Sequence, residues 1–278
     1  MQSELLALGA AIALALGSMF MSELKGRLDP TSVVRWSFVI ATLMTGTAAA
    51  VVGGWVTITP ENAIYLAISG FFAMVVAGPA YYAGIFTIGA SNALLIFSLN
   101  APIAAFAGFL LFGERFSMKE IIAVALILAG IALAVVFGER RPAERGRGAA
   151  SPARRTIPWT GISFALTAAL GQGLGNVAAK VAMADAEPFA AMTVRAFVGV
   201  VFLWAMLVFP FHRATMHGRA DVRSLTLILI GTAIGMGVGM TMLMAALTEG
   251  EVGIVSTLSA MTPVAVLPMV WEIGRAHV

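Results

Sequence analysis

Long apolar stretches separated by short polar connections dominate this chain of 278 residues. Nine such runs lie near Leu5–Met21, Ser32–Val52, Ala63–Ile88, Asn92–Phe112, Glu120–Phe137, Trp159–Ala182, Pro188–Val208, Leu225–Thr248 and Val252–Trp271. A helix needs about 20 residues to cross a hydrocarbon core of ~30 Å. The runs have about that length and lack the alternation that is typical of strands in a membrane barrel. The pattern therefore predicts an all-α, polytopic membrane protein.

Composition agrees with a chain that uses lipid as its solvent. Hydrophobic residues make up 60% of the chain and charged residues only 11%, whereas soluble domains carry roughly a quarter charged residues. A soluble enzyme domain is thereby excluded. The net charge of +3 does not indicate nucleic-acid binding, because the basic residues lie mostly in the connections, where they act as topology signals.

Catalytic and cofactor chemistry is not predicted. The chain has no cysteine, and His212, His217 and His277 all lie outside the apolar runs. No metalloprotease, nucleophile-elbow or phosphate-loop motif occurs. We therefore expect no catalytic residue, metal or cofactor.

A connection rich in Arg, Pro and Gly, from Glu139 to Pro158, divides the chain. Such a segment cannot bury enough apolar surface to fold, so it is predicted to be a flexible aqueous linker. It separates a first unit at residues 1–138 from a second at 159–271.

The two units share a residue pattern. A shift of 161 residues superimposes Gly70 on Gly231, Gly78 on Gly239, Gly89 on Gly250, Thr87 on Thr248, Ser98 on Ser259 and Pro102 on Pro263, and a shift of 160 superimposes Arg35 on Arg195. A complete unit would hold five spans, and this odd number makes the second copy enter the membrane from the opposite face. Inverted repeats are common in secondary transporters, whose substrate site lies between the halves. We therefore predict two inverted five-helix repeats, with ten spans expected and nine present.

The stretch from Gly89 to Gly138 carries the most specific motifs. They are a Ser-Leu-x-x-Pro turn at residues 98–102, Gly-Glu-Arg at 113–115 and Leu-Ala-Gly at 128–130. The stretch resembles the EamA-type domain of the drug/metabolite transporter superfamily, and Arg35 and Arg195 match the family's arginine near the start of the second span. The resemblance implies ten spans in two EamA units, a bacterial-type plasma membrane, and export or exchange of small metabolites such as amino acids.

The resemblance fails at the C-terminal end. After Trp271 the family pattern predicts a Gly-Glu turn near residue 274 and a tenth span, but the chain continues with EIGRAHV, Glu272 to Val278. That heptapeptide can be encoded by codons containing a widely used sequencing-adapter sequence. We therefore expect residues 272–278 to be adapter read-through into a truncated gene, with no biological role.

Polar residues inside the spans are the candidate substrate-binding groups, because polar groups in lipid are costly unless they are paired or face a cavity. The candidates are Ser98, Asn100 and Pro102 in the fourth span, Ser259, Thr262 and Pro263 in the ninth, Gln172 and Asn176 in the sixth, Tyr81 and Tyr82 in the third, and Arg35 and Arg195.

Each candidate has a structural alternative. The serines, threonine and Asn100 could relieve a kink caused by proline, which removes a backbone donor. Gln172 and Asn176 lie on one helical face and could instead join helices through hydrogen bonds, with glycines 171, 173 and 175 allowing close packing. The tyrosines could belong to an interfacial belt. The arginines could extend to the membrane interface or recognise a carboxylate or phosphate.

The sequence leaves the orientation open. Eleven basic residues lie on the side where the first span ends and two lie on the other: Lys25, Arg27, the six linker arginines, Arg213, Arg219 and Arg223 against Arg115 and Lys119. The positive-inside rule then places the linker in the cytoplasm and the N-terminus outside, whereas the resemblance implies cytoplasmic termini. The first span holds no acid between Leu5 and Met21, which weakens a cationic-drug antiporter.

The function predicted from sequence is that of a secondary transporter for amino-acid-like or related polar solutes, working by alternating access. Its partners are a small-molecule substrate and the lipid bilayer. The alternative is an intramembrane sensor or assembly subunit without a transport cycle.

Overall fold

The computed structural model describes residues 2–114, 158–206 and 221–262, with a few isolated positions between 118 and 129. Its long helices are α1 (Gln2–Ser22), α2 (Pro30–Val52), α3 (Pro60–Ile88), α4 (Ala90–Phe97), α5 (Asn100–Phe112), α6 (Trp159–Ala182), α7 (Pro188–Ala205), α8 (Val222–Glu249) and α9 (Val252–Ser259). Across these described ranges the structure is helical and contains no strand. The prediction of an all-α fold is confirmed.

Seven of the described stretches are long and apolar enough to cross a membrane. They comprise α1, α2, α3, α6, α7, α8 and the stretch Asn92–Phe112, which holds most of α4 and all of α5. The fifth predicted run lies almost wholly outside the described residues, and the ninth is described only as far as Thr262. The protein is therefore a multi-pass membrane protein.

The helix starts follow local sequence signals. Asp29 and Glu187 each precede a proline, and their carboxylates accept hydrogen bonds from backbone N–H groups of the first turns of α2 and α7. Thr59 caps α3 in the same way. These side chains satisfy the N–H groups that a helix leaves unpaired at its start. The dipeptides Asp29-Pro30, Thr59-Pro60 and Glu187-Pro188 thus mark the starts of α2, α3 and α7.

Two helices contain a widened segment. Within α3 the residues Phe71–Val76 form a π-helical stretch, and within α8 the residues Ala233–Met240 do the same. The stretches begin just after Gly70 and Gly231, two glycines that the predicted repeat superimposes. Such interruptions are rare in helices and often occur at functional sites.

Contacts between the two halves build the core. Helix α2 packs along α7, α1 packs on α8, α6 packs on α3, and α9 packs on α5. Small residues allow these approaches. A Cβ atom on Gly17 would lie 2.7 Å from the Cα of Gly235, so α1 and α8 touch backbone to backbone.

Candidate functional site

A cavity lies between the two halves of the helix bundle, with about 100 Å³ of space for the centres of water-sized molecules. Helices α1 to α5 supply its wall from one half, and α6, α8 and the α9 region supply it from the other. Most of the residues predicted to bind substrate line it: Tyr81, Tyr82, Ser98, Asn100, Gln172, Asn176, Ser259 and Thr262. Spans far apart in sequence thus bring their embedded polar groups to one place.

A short hydrogen-bonded chain crosses the second-half wall. The amide nitrogen Nε2 of Gln172 donates to Oδ1 of Asn176 at 2.8 Å, and Nδ2 of Asn176 donates to Oγ of Ser256 at 3.3 Å. Asn176 is fully buried. The prediction that the two amides share a helical face is confirmed, and they act both as a link between α6 and α9 and as cavity wall.

The fourth span breaks at the cavity. Helix α4 ends at Phe97 and α5 begins at Asn100. The Asn100 side-chain nitrogen donates to the Phe97 carbonyl at 2.8 Å, and the Ser98 hydroxyl donates to the Leu95 carbonyl. Pro102 follows without lining the cavity. The side chains of Ser98 and Asn100 therefore satisfy carbonyl groups at the helix break, and they also line the cavity.

The ninth span has the matching break. Helix α9 ends at Ser259, whose hydroxyl donates to the Ser256 carbonyl at 3.0 Å. The Thr262 hydroxyl donates to the Ser259 carbonyl at 2.7 Å. Both side chains line the cavity. Pro263, predicted as part of this site, lies outside the described residues.

Aromatic rings form a further part of the wall. The Tyr81 ring lies 4.9 Å from that of Phe97 and 5.4 Å from that of Tyr82, between centroids and at steep angles. Tilted pairs of this kind are the favoured aromatic geometry. Tyr82 is 7% exposed, so its ring lies within the bundle.

The two predicted arginines do not reach the cavity. Arg195 is fully buried and contacts Met244 Sδ through Nη1, at 2.8 Å. Arg35 is 3% exposed and donates through Nε to the Leu203 carbonyl at 3.1 Å. Both guanidinium groups are enclosed by neighbouring helices. Neither lines the cavity in this conformation.

Part of the cavity wall comes from residues that the sequence did not predict. Met74 comes from the π-helical stretch of α3, Met236 and Met240 come from that of α8, and Ser18 comes from α1. The run of alternating glycines at 235, 237 and 239 is the signal that could have pointed to α8. A methionine in a lipid-embedded span is too common to stand out.

The glycines of α6 explain how the amides reach the cavity. A Cβ on Gly171 would lie 2.6 Å from the Phe72 carbonyl oxygen, and one on Gly175 would lie 2.7 Å from the Ala73 side chain. Helix α6 therefore packs directly on the π-helical stretch of α3. The glycines of α6 thus pack closely on α3, and Gln172 and Asn176 on the same helix lie beside the cavity.

The cavity lies around the middle of the bundle. Its lining residues Ser18 and Tyr82 lie in the C-terminal halves of α1 and α3, towards the end of the bundle where α1 finishes. Asn176 and Leu243 lie in the C-terminal halves of α6 and α8, towards the other end. The lining therefore comes from both directions along the spans.

Polar contacts join the helices at the end of the bundle where α1 begins. The Glu114 carboxylate accepts from the backbone N–H groups of Val252 and Gly253 at 2.9 and 3.2 Å. The Lys180 ammonium donates to the carbonyls of Leu247 and Gly250 at 2.9 and 2.8 Å, at the end of α8. We call Glu114 and Lys180 the end clamp, since together they hold the ends of α5, α6, α8 and α9.

Known proteins share this sequence pattern and this fold. The sequence model described as the EamA-like transporter family matches residues 1–136 and 159–274, one stretch in each half. Among solved structures 24 chains match. One of them, titled "Crystal structure of protein", has a TM-score of 0.69 at 19% identity, over 98% of this chain and 87% of that one. The comparison with curated proteins gave no match.

At 19% identity the solved structure supports the fold alone, whereas the family match covers most of the chain. The seven membrane-length helices agree with a family of transporters. The chain therefore belongs to the EamA-like transporter family of the drug/metabolite transporter superfamily and is a multi-pass membrane transporter.

Proposed function

We propose that this chain is a secondary transporter that exports or exchanges small polar metabolites by alternating access between two inverted halves, residues 1–138 and 159–271. The observation that carries the proposal is the cavity between the halves, whose amides and hydroxyls lie within an otherwise apolar bundle. Polar groups at such depth are costly unless they pair or face a cavity. A site between inverted halves suits a carrier that opens to each side in turn.

The pairing of helices supports the inverted repeat. Exchanging the halves converts α1–α8 into α6–α3 and α1–α9 into α6–α4, and it leaves α2–α7 unchanged; all of these pairs are in contact. The two π-helical stretches also correspond, as do the breaks at Ser98 and Ser259. Pseudo-twofold symmetry accounts for all three correspondences.

The ends of the bundle support alternating access. The end clamp joins α5, α6, α8 and α9 at the end of the bundle where α1 begins. A carrier that is closed on one side has contacts of this kind at that end. Release of Glu114 from Val252 would accompany opening of the second side.

The test compares metabolites exported by cells producing the wild-type chain, Asn176→Ala or Asn62→Ala, at equal amounts of protein in the membrane. Asn62 lies in the first turn of α3 and does not line the cavity, which makes it the matched asparagine control. We expect one or a few metabolites to accumulate outside with the wild type and Asn62→Ala, and several-fold less with Asn176→Ala.

Equal export by all three chains would mean that the cavity is not on the transport path. No metabolite difference between any of them and cells lacking the chain would favour the alternative, a sensor or assembly subunit. Saturable counterflow in vesicles, measured with the exported metabolite, separates a carrier from an indirect effect on metabolism.

A further inference from the structure

Resting on the proposed transport function, we infer that the cavity selects an uncharged, flat solute that carries both hydrogen-bond donors and acceptors, such as an aromatic amide or a lactam heterocycle. Among the described residues that line the cavity there is no Asp, Glu, Lys, Arg or His. An ion that leaves water for such a site loses its hydration and finds no opposite charge in return.

Backbone groups do not replace the missing charge. Half-helix ends can bind anions when their N–H groups point at the ligand. At the break of the fourth span the N–H groups of Ser98, Leu99 and Ala101 donate to carbonyls within the chain, those of Leu94, Ile96 and Ser98. At the break after α9 the N–H groups of Ala260 and Met261 do the same. Neither break therefore presents a free row of donors to a carboxylate or phosphate.

The polar wall has the chemistry of neutral amides. Each primary amide carries a carbonyl acceptor and two N–H donors. Gln172 donates one N–H to Asn176, and Asn176 donates one N–H to Ser256. A solute with an amide or lactam edge offers the complementary donor and acceptor side by side. A buried polar site discriminates strongly against a ligand that leaves its groups unpaired.

The remaining wall favours a flat ring. Tyr81, Tyr82 and Phe97 present aromatic surfaces, and Met74 and Met236 supply flexible thioethers from the two π-helical stretches. Thioethers make favourable contacts with ring edges and adapt to irregular shapes. An aliphatic polar solute would leave this surface without a matching partner.

The experiment uses probes of equal shape and different charge. The full chain in detergent is titrated with benzamide, benzoate and benzamidinium, with the parallel series nicotinamide, nicotinate and 1-methylnicotinamide, and with zwitterionic phenylalanine. Binding is read as a shift of the melting temperature, since a ligand stabilises the state that it binds. Concentrations up to about 10 mM cover a Kd of about 1 mM.

We expect the neutral member of each series to bind at least about tenfold more tightly than its charged partners, equivalent to about 1.4 kcal/mol. In Asn176→Asp the preference should move towards benzamidinium, because the new carboxylate supplies an opposite charge. Asn62→Asp, outside the cavity, should keep the wild-type order. A charged or zwitterionic probe that binds as tightly as the neutral one, or no binding of either neutral probe, overturns the inference.

Failure here differs from failure of the proposed function. Chain-dependent export of a charged metabolite that requires Asn176 would support the transport function and contradict the selectivity for neutral solutes. Binding of a neutral probe without any saturable flux would support the binding site and contradict the transport cycle.

Discussion

Glu114, which follows α5 in the first half, accepts a hydrogen bond of 2.9 Å from the backbone N–H of Val252, the first residue of α9 in the second half. Its other carboxylate oxygen accepts from Gly253 at 3.2 Å. One side chain thus satisfies two of the N–H groups at the start of a helix 138 residues away. A negative charge is also favoured at this helix end.

Removing this cap should lower stability in a graded way. Glu114→Ala leaves both N–H groups without the carboxylate, and losses of this kind cost about 0.5–2 kcal/mol. Glu114→Gln keeps one acceptor oxygen and should lie between Ala and wild type. Apparent melting temperatures in detergent measure the order. Glu249→Ala is the control, since Glu249 is exposed at the end of α8 on the same side; a loss as large as that of Glu114→Ala would contradict the capping role.

The two members of the end clamp should be energetically coupled. Lys180 donates to the last carbonyls of α8, and the negative charges of Glu114 and Glu251 act on its ammonium group. In a double-mutant cycle we expect Glu114→Gln and Lys180→Met together to destabilise by less than the sum of the two single changes. Contacting pairs show coupling of about 0.5–3 kcal/mol. Additive losses would mean that the two side chains hold their helices independently.

Much of the fold and of the site could be predicted from sequence, because lipid imposes long apolar runs and makes every embedded polar residue conspicuous. Asn100, Gln172 and Asn176 were found in that way, and the structure places them on one cavity. The tyrosines and arginines were ambiguous, since amphipathic side chains suit an interface as well as an interior. The partner of Glu114 has no local pattern in the sequence. It depends on which helices become neighbours.

Substitution of a glycine should test the backbone contact between α1 and α8. A methyl group on Gly17 would lie 2.7 Å from Gly235 Cα and 2.8 Å from the Gly231 carbonyl oxygen, and backbone atoms cannot turn away as a side chain does. We expect Gly17→Ala to cost about 1–3 kcal/mol, as for other overpacked sites, and to reduce transport.

Gly84→Ala is the matched control for that change. Gly84 lies within α3, and the nearest atom to its new Cβ is 3.5 Å away, an ordinary contact. Alanine favours a helix over glycine by up to about 1 kcal/mol, so this variant should be neutral or more stable. If Gly17→Ala melts at the same temperature as Gly84→Ala, the two helices are not in the close contact described.

Asp221 lies just before α8, at the end of the bundle away from the end clamp, and should give a pH-dependent contribution to stability. It accepts from the Ser224 backbone N–H at 3.0 Å and lies 3.7 Å from an Arg27 guanidinium nitrogen. Hydrogen bonds from Ser224, followed by the charge of Arg27, hold the pKa of Asp221 below its ordinary value. Because its pKa is lowered on folding, the ionised carboxylate stabilises the fold at pH values above its ordinary pKa near 3.9. This contribution is lost as the pH falls through the pKa of the folded state.

We therefore expect Asp221→Asn, which keeps a capping oxygen, to melt slightly below wild type at pH 7 and to converge with it on acidification. Arg27→Gln, which removes the partner charge, should show a similar small loss at pH 7. A difference between Asp221→Asn and wild type that stays constant from neutral to acidic pH would show that the charge of Asp221 contributes nothing.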